Sequence, residues 1–212
     1  ANEYQRRDGK LNLYLLSLMM KLPHDFKQDA KFMTFDDVKI LDGDSRYNDL
    51  ESQNQIRELL ISKRFSAAFI KMNKFGFSSS LNVEDKILYL LTEQVVKRNR
   101  ATMNSISNAV FTSDYDKAIS ILENKQEFVL LTDKESMTLQ LCRKLKHMME
   151  SGTIPKKKIL STDDLQEAID GNNFELALEI TKNFIHKYNI QPRNNILYVL
   201  TTKICDFINS QY

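Results

Sequence analysis

The chain has 212 residues, 42% hydrophobic and 27% charged, an ordinary globular mix with length for one large domain or two small ones. Thirty Lys and Arg against 28 Asp and Glu leave a net charge of +2, so no global excess points to nucleic acid or an acidic membrane. Five Gly, three Pro and two Cys argue against a glycine-loop cofactor fold, a turn-rich β-sandwich, a disulfide framework and a cysteine-based zinc site.

The first apolar stretch, Leu11–Leu22, is interrupted by Asn12, Ser17 and Lys21. It falls short of the ~18 residues of a membrane span. No small-residue cleavage site follows it, so it does not read as a signal peptide. The spacing predicts a helix over 10–22 that ends an earlier helical unit. Residues 23–50 read as a linker or insertion, with a weak strand candidate over Asp37–Leu41. Asp42-Gly43-Asp44 then resembles a cation loop only in part, because Arg46 stands at the third ligand position. A polar turn is the simpler reading. The first residue is Ala1, which suggests the C-terminal part of a longer regulatory or scaffold protein. Few cysteines and no targeting segment suggest a reducing cytoplasm and no membrane association.

From residue 51 onward the signals are helical. Ile56, Leu59 and Leu60 open an i, i+3, i+4 stripe. Asn82 precedes Val83-Glu84-Asp85, a cap with first-turn acids. The stripe Ile87, Leu91, Val95 runs on to Lys97-Arg98-Asn99-Arg100, which reads as a basic last turn. Thr132-Asp133-Lys134-Glu135 is a capping box, and Gly152 sits where a terminal glycine would end that helix. Ser161-Thr162-Asp163-Asp164 opens another helix, closed by Gly171. Pro192 stands at a first helical position. No segment alternates cleanly with period two, so the predicted fold class is all-α.

The chain also repeats itself. Phe65-Ser66-Ala67-Ala68, Tyr115-Asp116-Lys117-Ala118 and Phe174-Glu175-Leu176-Ala177 share an aromatic-x-x-Ala pattern after a polar turn. The second copy follows the first at an offset of 50 and the third at 109. At the larger offset Ile87-Leu88-Tyr89-Leu90-Leu91-Thr92 maps onto Ile196-Leu197-Tyr198-Val199-Leu200-Thr201. Three units of three helices follow, at about 51–101, 102–151 and 161–212, stacked as antiparallel neighbours. The predicted helices are 51–63, 65–76 and 83–100, then 102–113, 115–126 and 133–150, then 162–170, 173–188 and 192–209.

The turn followed by aromatic-x-x-Ala resembles the tetratricopeptide repeat and its helical-repeat relatives, over about residues 51–212. The unit here is longer, 50–59 residues against about 34 in that family, because a third helix is appended. The resemblance implies an α-solenoid that binds a peptide or protein and is not an enzyme.

A search for chemistry agrees. His24, His147 and His186 lack a metal-ligand spacing, and no nucleophile elbow, P-loop or dinucleotide fingerprint occurs. No catalytic, metal or cofactor residues are assigned. His147 reads as solvated and His186 as packed. Cys142 and Cys205 read as small buried hydrophobes. If first helices line the inner surface, Asn54, Arg57 and Glu58, Asn104, Ser107 and Asn108, and Asp163, Gln166 and Glu167 form the partner-binding face. The alternative is a nucleic-acid-associated transcriptional regulator. It would contact phosphates through Lys97, Arg98, Arg100, Arg143, Lys144 and Lys146. The same clusters also read as basic helix ends.

Overall fold

The computed structural model describes residues 50–79 and 82–212, together with Leu11, Leu15, Pro23–Phe26 and Met33. The described residues contain eight α-helices and no strand. These are α1 (Leu50–Ile61), α2 (Phe65–Lys74), α3 (Val83–Phe111) and α4 (Tyr115–Gln126). Next come α5 (Asp133–Ser151), α6 (Leu165–Asp170), α7 (Phe174–Lys187) and α8 (Ile196–Ser210). The strand candidate over 37–41 and the Asp42-Gly43-Asp44 turn lie outside the described residues. So does most of the helix expected over 10–22, of which Leu11 and Leu15 are helical and buried. No described helix is long and apolar enough to cross a membrane.

Two compact units divide the chain, Ala1–Ala101 and Thr102–Tyr212. In the first, α1, α2 and the leading half of α3 enclose Ile56, Leu60, Ala68, Met72, Ile87 and Leu91, all without solvent exposure. Phe26, from the stretch read as a linker, belongs to the same core and meets Phe65 edge-on at 5.5 Å. The short turn His24–Phe26 is held there by two cations. Arg98 donates to the Asp25 carbonyl at 2.8 Å, and the Lys63 ammonium lies 3.3 Å from the Asp25 carboxylate. Part of the stretch 23–50 therefore supplies core and is more than a connector.

In the second unit α5 packs against α4, α6 and α8, and α7 packs against α6 and α8. Their shared core includes Leu122, Leu141, Leu145, Ile169, Leu200 and Ile204. Polar bonds stitch α5 to α6: Gln140 donates to Asp170 at 2.7 Å, and Gln166 donates to the Gln140 carbonyl oxygen at 2.8 Å. The segment between α5 and α6 begins at Gly152, whose φ of 67° is the left-handed helix stop expected of it.

The three sequence copies meet in one local geometry. Each short turn ends its helix with the same pair of backbone bonds. Arg64 N–H donates to the Leu59 carbonyl (2.8 Å) and Lys63 N–H to that of Leu60 (3.0 Å). Asp114 and Ser113 do the same to Ala109 and Val110, and Asn173 and Asn172 to Ala168 and Ile169. This is the Schellman closure, which places one residue in the left-handed region. That residue is Lys63 (φ 60°), Ser113 (φ 60°) or Asn172 (φ 54°), and never glycine. The aromatic that follows is buried each time: Phe65 6%, Tyr115 7% and Phe174 3% exposed. The alanine three residues later has no exposure in any copy.

Four expectations need correction. The helices expected over 83–100 and 102–113 are one continuous element, α3, since Arg100-Ala101-Thr102 contains no Pro, Gly or cap to stop it. Pro192 opens a 3-10 turn, Pro192–Asn194, and α8 starts later because the Asn195 side chain caps it. Gly171 ends α6 with an ordinary φ of −80°, and Asn172 takes the left-handed position. His186, read as packed, is exposed.

Candidate functional site

Four elements of the second unit leave an apolar cleft between them, with a volume of about 340 Å³. Met137 of α5, Leu165 of α6, Ile180 and Phe184 of α7, and Leu197 of α8 form its walls. Ile180 and Phe184 share a face because they are four residues apart on a helix. Phe184 is 49% exposed and meets Tyr188, itself 57% exposed, with the rings tilted by 50° at a centroid distance of 4.8 Å. One ring of this exposed aromatic pair, Phe184, therefore lines the cleft.

Helix caps set the positions of its polar groups. The Thr132–Glu135 capping box is formed in both directions and fixes the start of α5, which puts Lys134 in the first turn. Glu135 is also tied at 2.6 Å to the largely buried Lys125 ammonium. The Asp164 carboxylate accepts from Glu167 N–H and starts α6, with Asp163 immediately before it. Asn195 Oδ1 accepts from the N–H groups of Leu197 and Tyr198, both at 3.1 Å. Asn195 is only 8% exposed and lines the cleft. Its Nδ2 makes no hydrogen bond among the described residues and is not buried away from solvent. The Thr181 hydroxyl donates to the Leu178 carbonyl at 2.9 Å and lies 3.4 Å from the Thr201 hydroxyl, so its proton is spent within the fold.

Lys134 and Asp163, also on the lining, are exposed. Among the described residues neither forms an ion pair, with each other or with a third group. Apolar walls of this kind can bury a large side chain, with two exposed charges of opposite sign beside them.

The expected partner-binding face is distributed otherwise. Asn54, Glu58, Asn104 and Asn108 are exposed, and Ser107 is half-buried. Arg57 is bonded to Glu84 at 3.2 Å. Gln166 serves the α5–α6 seam, and Glu167 accepts from the Thr162 hydroxyl at 2.6 Å. Asp163 alone of that set lines the cleft.

The basic clusters lie inside helices and do not end them, so the helix-dipole reading fails for both. Lys97 pairs with Glu93 at 2.8 Å, Arg98 holds Asp25, and Arg100 is exposed. Arg143 pairs with Glu123 at 2.8 Å, and Lys146 pairs with Asp116 and Glu150. Lys144 donates at 2.7 Å both to the Ile169 carbonyl and to Asn172 Oδ1. Burial pulls its ammonium below the ordinary lysine value, although Asp170 opposes this. These three cations join α5 to α4 and to the α6–α7 turn.

Cys142 and Cys205 are buried free thiols, pushed up to about 12 and about 11 by desolvation. His147 is exposed, as read. No metal-holding cluster occurs among the described residues.

Sequence reasoning missed the cleft. Met137, Leu165, Ile180 and Leu197 sit at core-periodic positions, and periodicity does not reveal whether a neighbour covers them. Comparison with protein-family models, curated proteins and solved structures returns no match.

Proposed function

We propose that the chain is a non-catalytic helical-repeat interaction module that binds a peptide segment of a protein partner in the cleft between α5, α6, α7 and α8. The observation that carries this reading is an apolar cleft of about 340 Å³, open to solvent and lined in part by the exposed Phe184 ring, which meets exposed Tyr188. Its size is near the lower end of ligand sites, about 300–1,000 Å³, which suits one or two side chains. Burying one large apolar side chain contributes about 1.5–3 kcal/mol. Micromolar binding needs about 8 kcal/mol, so the peptide must also engage the rim. Phosphate recognition is the weaker reading, because Arg143, Lys144 and Lys146 are occupied within the fold.

Selection of phage-displayed peptides on the immobilised protein tests the proposal. Enriched peptides should carry a large apolar residue and lose binding to Phe184→Glu, a half-exposed position where folding survives. No enrichment, or equal binding to Phe184→Glu, would overturn it.

A further inference from the structure

The start of α6 carries two sets of helix signals three residues apart, and the structure uses one of them. Asp164 is the cap in use. It is extended, at φ −87° and ψ 119°, and its carboxylate accepts from Glu167 N–H at 3.1 Å. One turn earlier, Leu160-Ser161-Thr162-Asp163-Asp164-Leu165 is a complete start signal of its own. Ser161 is a favoured cap, and Asp164 stands three residues on, as in a capping box. Leu160 and Leu165 hold the two positions of a hydrophobic staple. This signal places the first helical residue at Thr162, yet α6 begins at Leu165. Tertiary contacts hold the shorter form. Leu160 fills the space beside Gly171, and Lys158 N–H donates to the Gly171 carbonyl at 2.8 Å. The Thr162 hydroxyl accepts from Asp164 N–H at 3.0 Å and donates to Glu167 at 2.6 Å.

The first sequence copy shows what the missing turn covers. At the offset of 109, Thr162–Asp164 correspond to Gln53–Gln55, which are helical within α1. There the Gln55 side chain accepts from Lys71 at 3.1 Å. The counterpart of Lys71 is Ile180, a wall of the cleft. We infer that Leu160–Asp164 is a lid. In a second, longer form of α6, capped by Ser161, the added turn lies over Ile180. Leu160 leaves Gly171 for Leu165, another wall of the cleft, and the cleft closes. Each form has a cap and a leucine contact, so a small change in either contact moves the equilibrium. The two forms are a property of the chain itself, and their effect on a ligand rests on the peptide-binding reading.

Backbone NMR of the full chain reads the switch without a ligand. In the short form Leu165 and Gln166 open the helix, and their N–H groups have no intrahelical acceptor. In the long form they donate to the Ser161 and Thr162 carbonyls. Gly171→Ala places a methyl group where Leu160 sits, and Asp164→Ala removes the cap of the short form. Each should bring helical Cα shifts to residues 162–164. Each should also raise amide protection at Leu165 and Gln166 by about fivefold or more, the size of a lost cap. Adding Ser161→Ala, which removes the cap of the long form, should lower that protection again by a similar factor. Should Gly171→Ala fail to fold, Asp164→Ala gives the same reading at an exposed position. Peptides selected on the unaltered protein should bind Asp164→Ala about fivefold more weakly and regain affinity when Ser161→Ala is added. Shifts and protection unchanged at these residues would overturn the lid and leave peptide binding standing. A switch seen by NMR with peptide affinity unaltered would overturn its control of the cleft. Failure to select any peptide would overturn the peptide reading, and NMR would still decide whether the lid exists.

Discussion

The Leu160 side chain occupies the space that a Cβ on Gly171 would need. With φ at −80°, Gly171 has a backbone open to any residue, so close approach is what requires glycine here. The same contact pins the segment after α5, where Lys158 N–H donates to the Gly171 carbonyl at 2.8 Å. Gly171→Ala should destabilise the protein by about 1–3 kcal/mol, as overpacking does. Combined with Leu160→Ala, the loss should be smaller than the two single losses added, since the residues touch. Urea unfolding of the three variants measures this.

Left-handed residues give opposite outcomes at equivalent turns. Ser113, at φ 60°, has an exposed side chain. Glycine relieves the left-handed cost of about 1–2 kcal/mol and gives back part of it as unfolded-chain entropy. Ser113→Gly should therefore stabilise by about 0.5–1 kcal/mol. Asn172 occupies the same position but accepts from Lys144 and donates to the Lys156 carbonyl. Asn172→Gly should be destabilising, because it leaves a half-buried ammonium without one of its acceptors. Melting curves of the two variants should move in opposite directions.

Acid should release the α5–α6 seam in part through Asp170. Hydrogen bonding from Gln140 is the main reason its carboxyl lies below the ordinary 3.8, helped by Gln166 and Lys144 against a desolvation penalty. A carboxyl lowered in the native state contributes stability that is fully present above its unfolded value and is lost as pH falls through its native one. Asp170→Asn should thus be less stable than the parent protein above about pH 4. The gap should close progressively in more acidic buffer. A constant gap from pH 2 to pH 7 would be against it.

Thiol reactivity reports on opening. With values near 12 and 11, Cys142 and Cys205 carry almost no thiolate at pH 8, and the thiolate is the reacting form. Native protein should react slowly with an aromatic disulfide reagent, and both cysteines should react at once in denaturant. Fast labelling of one cysteine under native conditions would show that its helix opens locally.

Features carried by adjacent residues were legible. The Thr132 capping box, the Gly152 stop, the Asn82 cap and the shared burial of Phe65, Tyr115 and Phe174 each depend on a few neighbouring residues. At residues 100–102 the boundary between copies does not coincide with a boundary between helices. Helix propagation needs only the absence of a breaker, and Arg100-Ala101-Thr102-Met103 supplies none. Pro192 misled because it suits a 3-10 turn as well as a first helical turn, while Asn195 holds the stronger cap. The cleft was illegible for another reason. Whether Ile180 or Phe184 is covered depends on the spacing of α5, α6 and α8, which no local pattern encodes.

The unbroken α3 changes how this chain can be divided. Duplication arithmetic would cut at 101 and 102, yet that cut falls in the middle of a 29-residue helix. A fragment beginning at Thr102 would start with bare backbone N–H groups and no cap. It would also present Ile106, Ala109 and Val110 on barely three turns of helix, too few to persist without packing. A fragment beginning at Asn82 would retain its own cap but would carry Ile87, Leu91 and Val95 stripped of α1 and α2. Neither neighbour can be excised without damaging the other, so deletion mapping of this protein must treat the whole of Val83–Phe111 as common property.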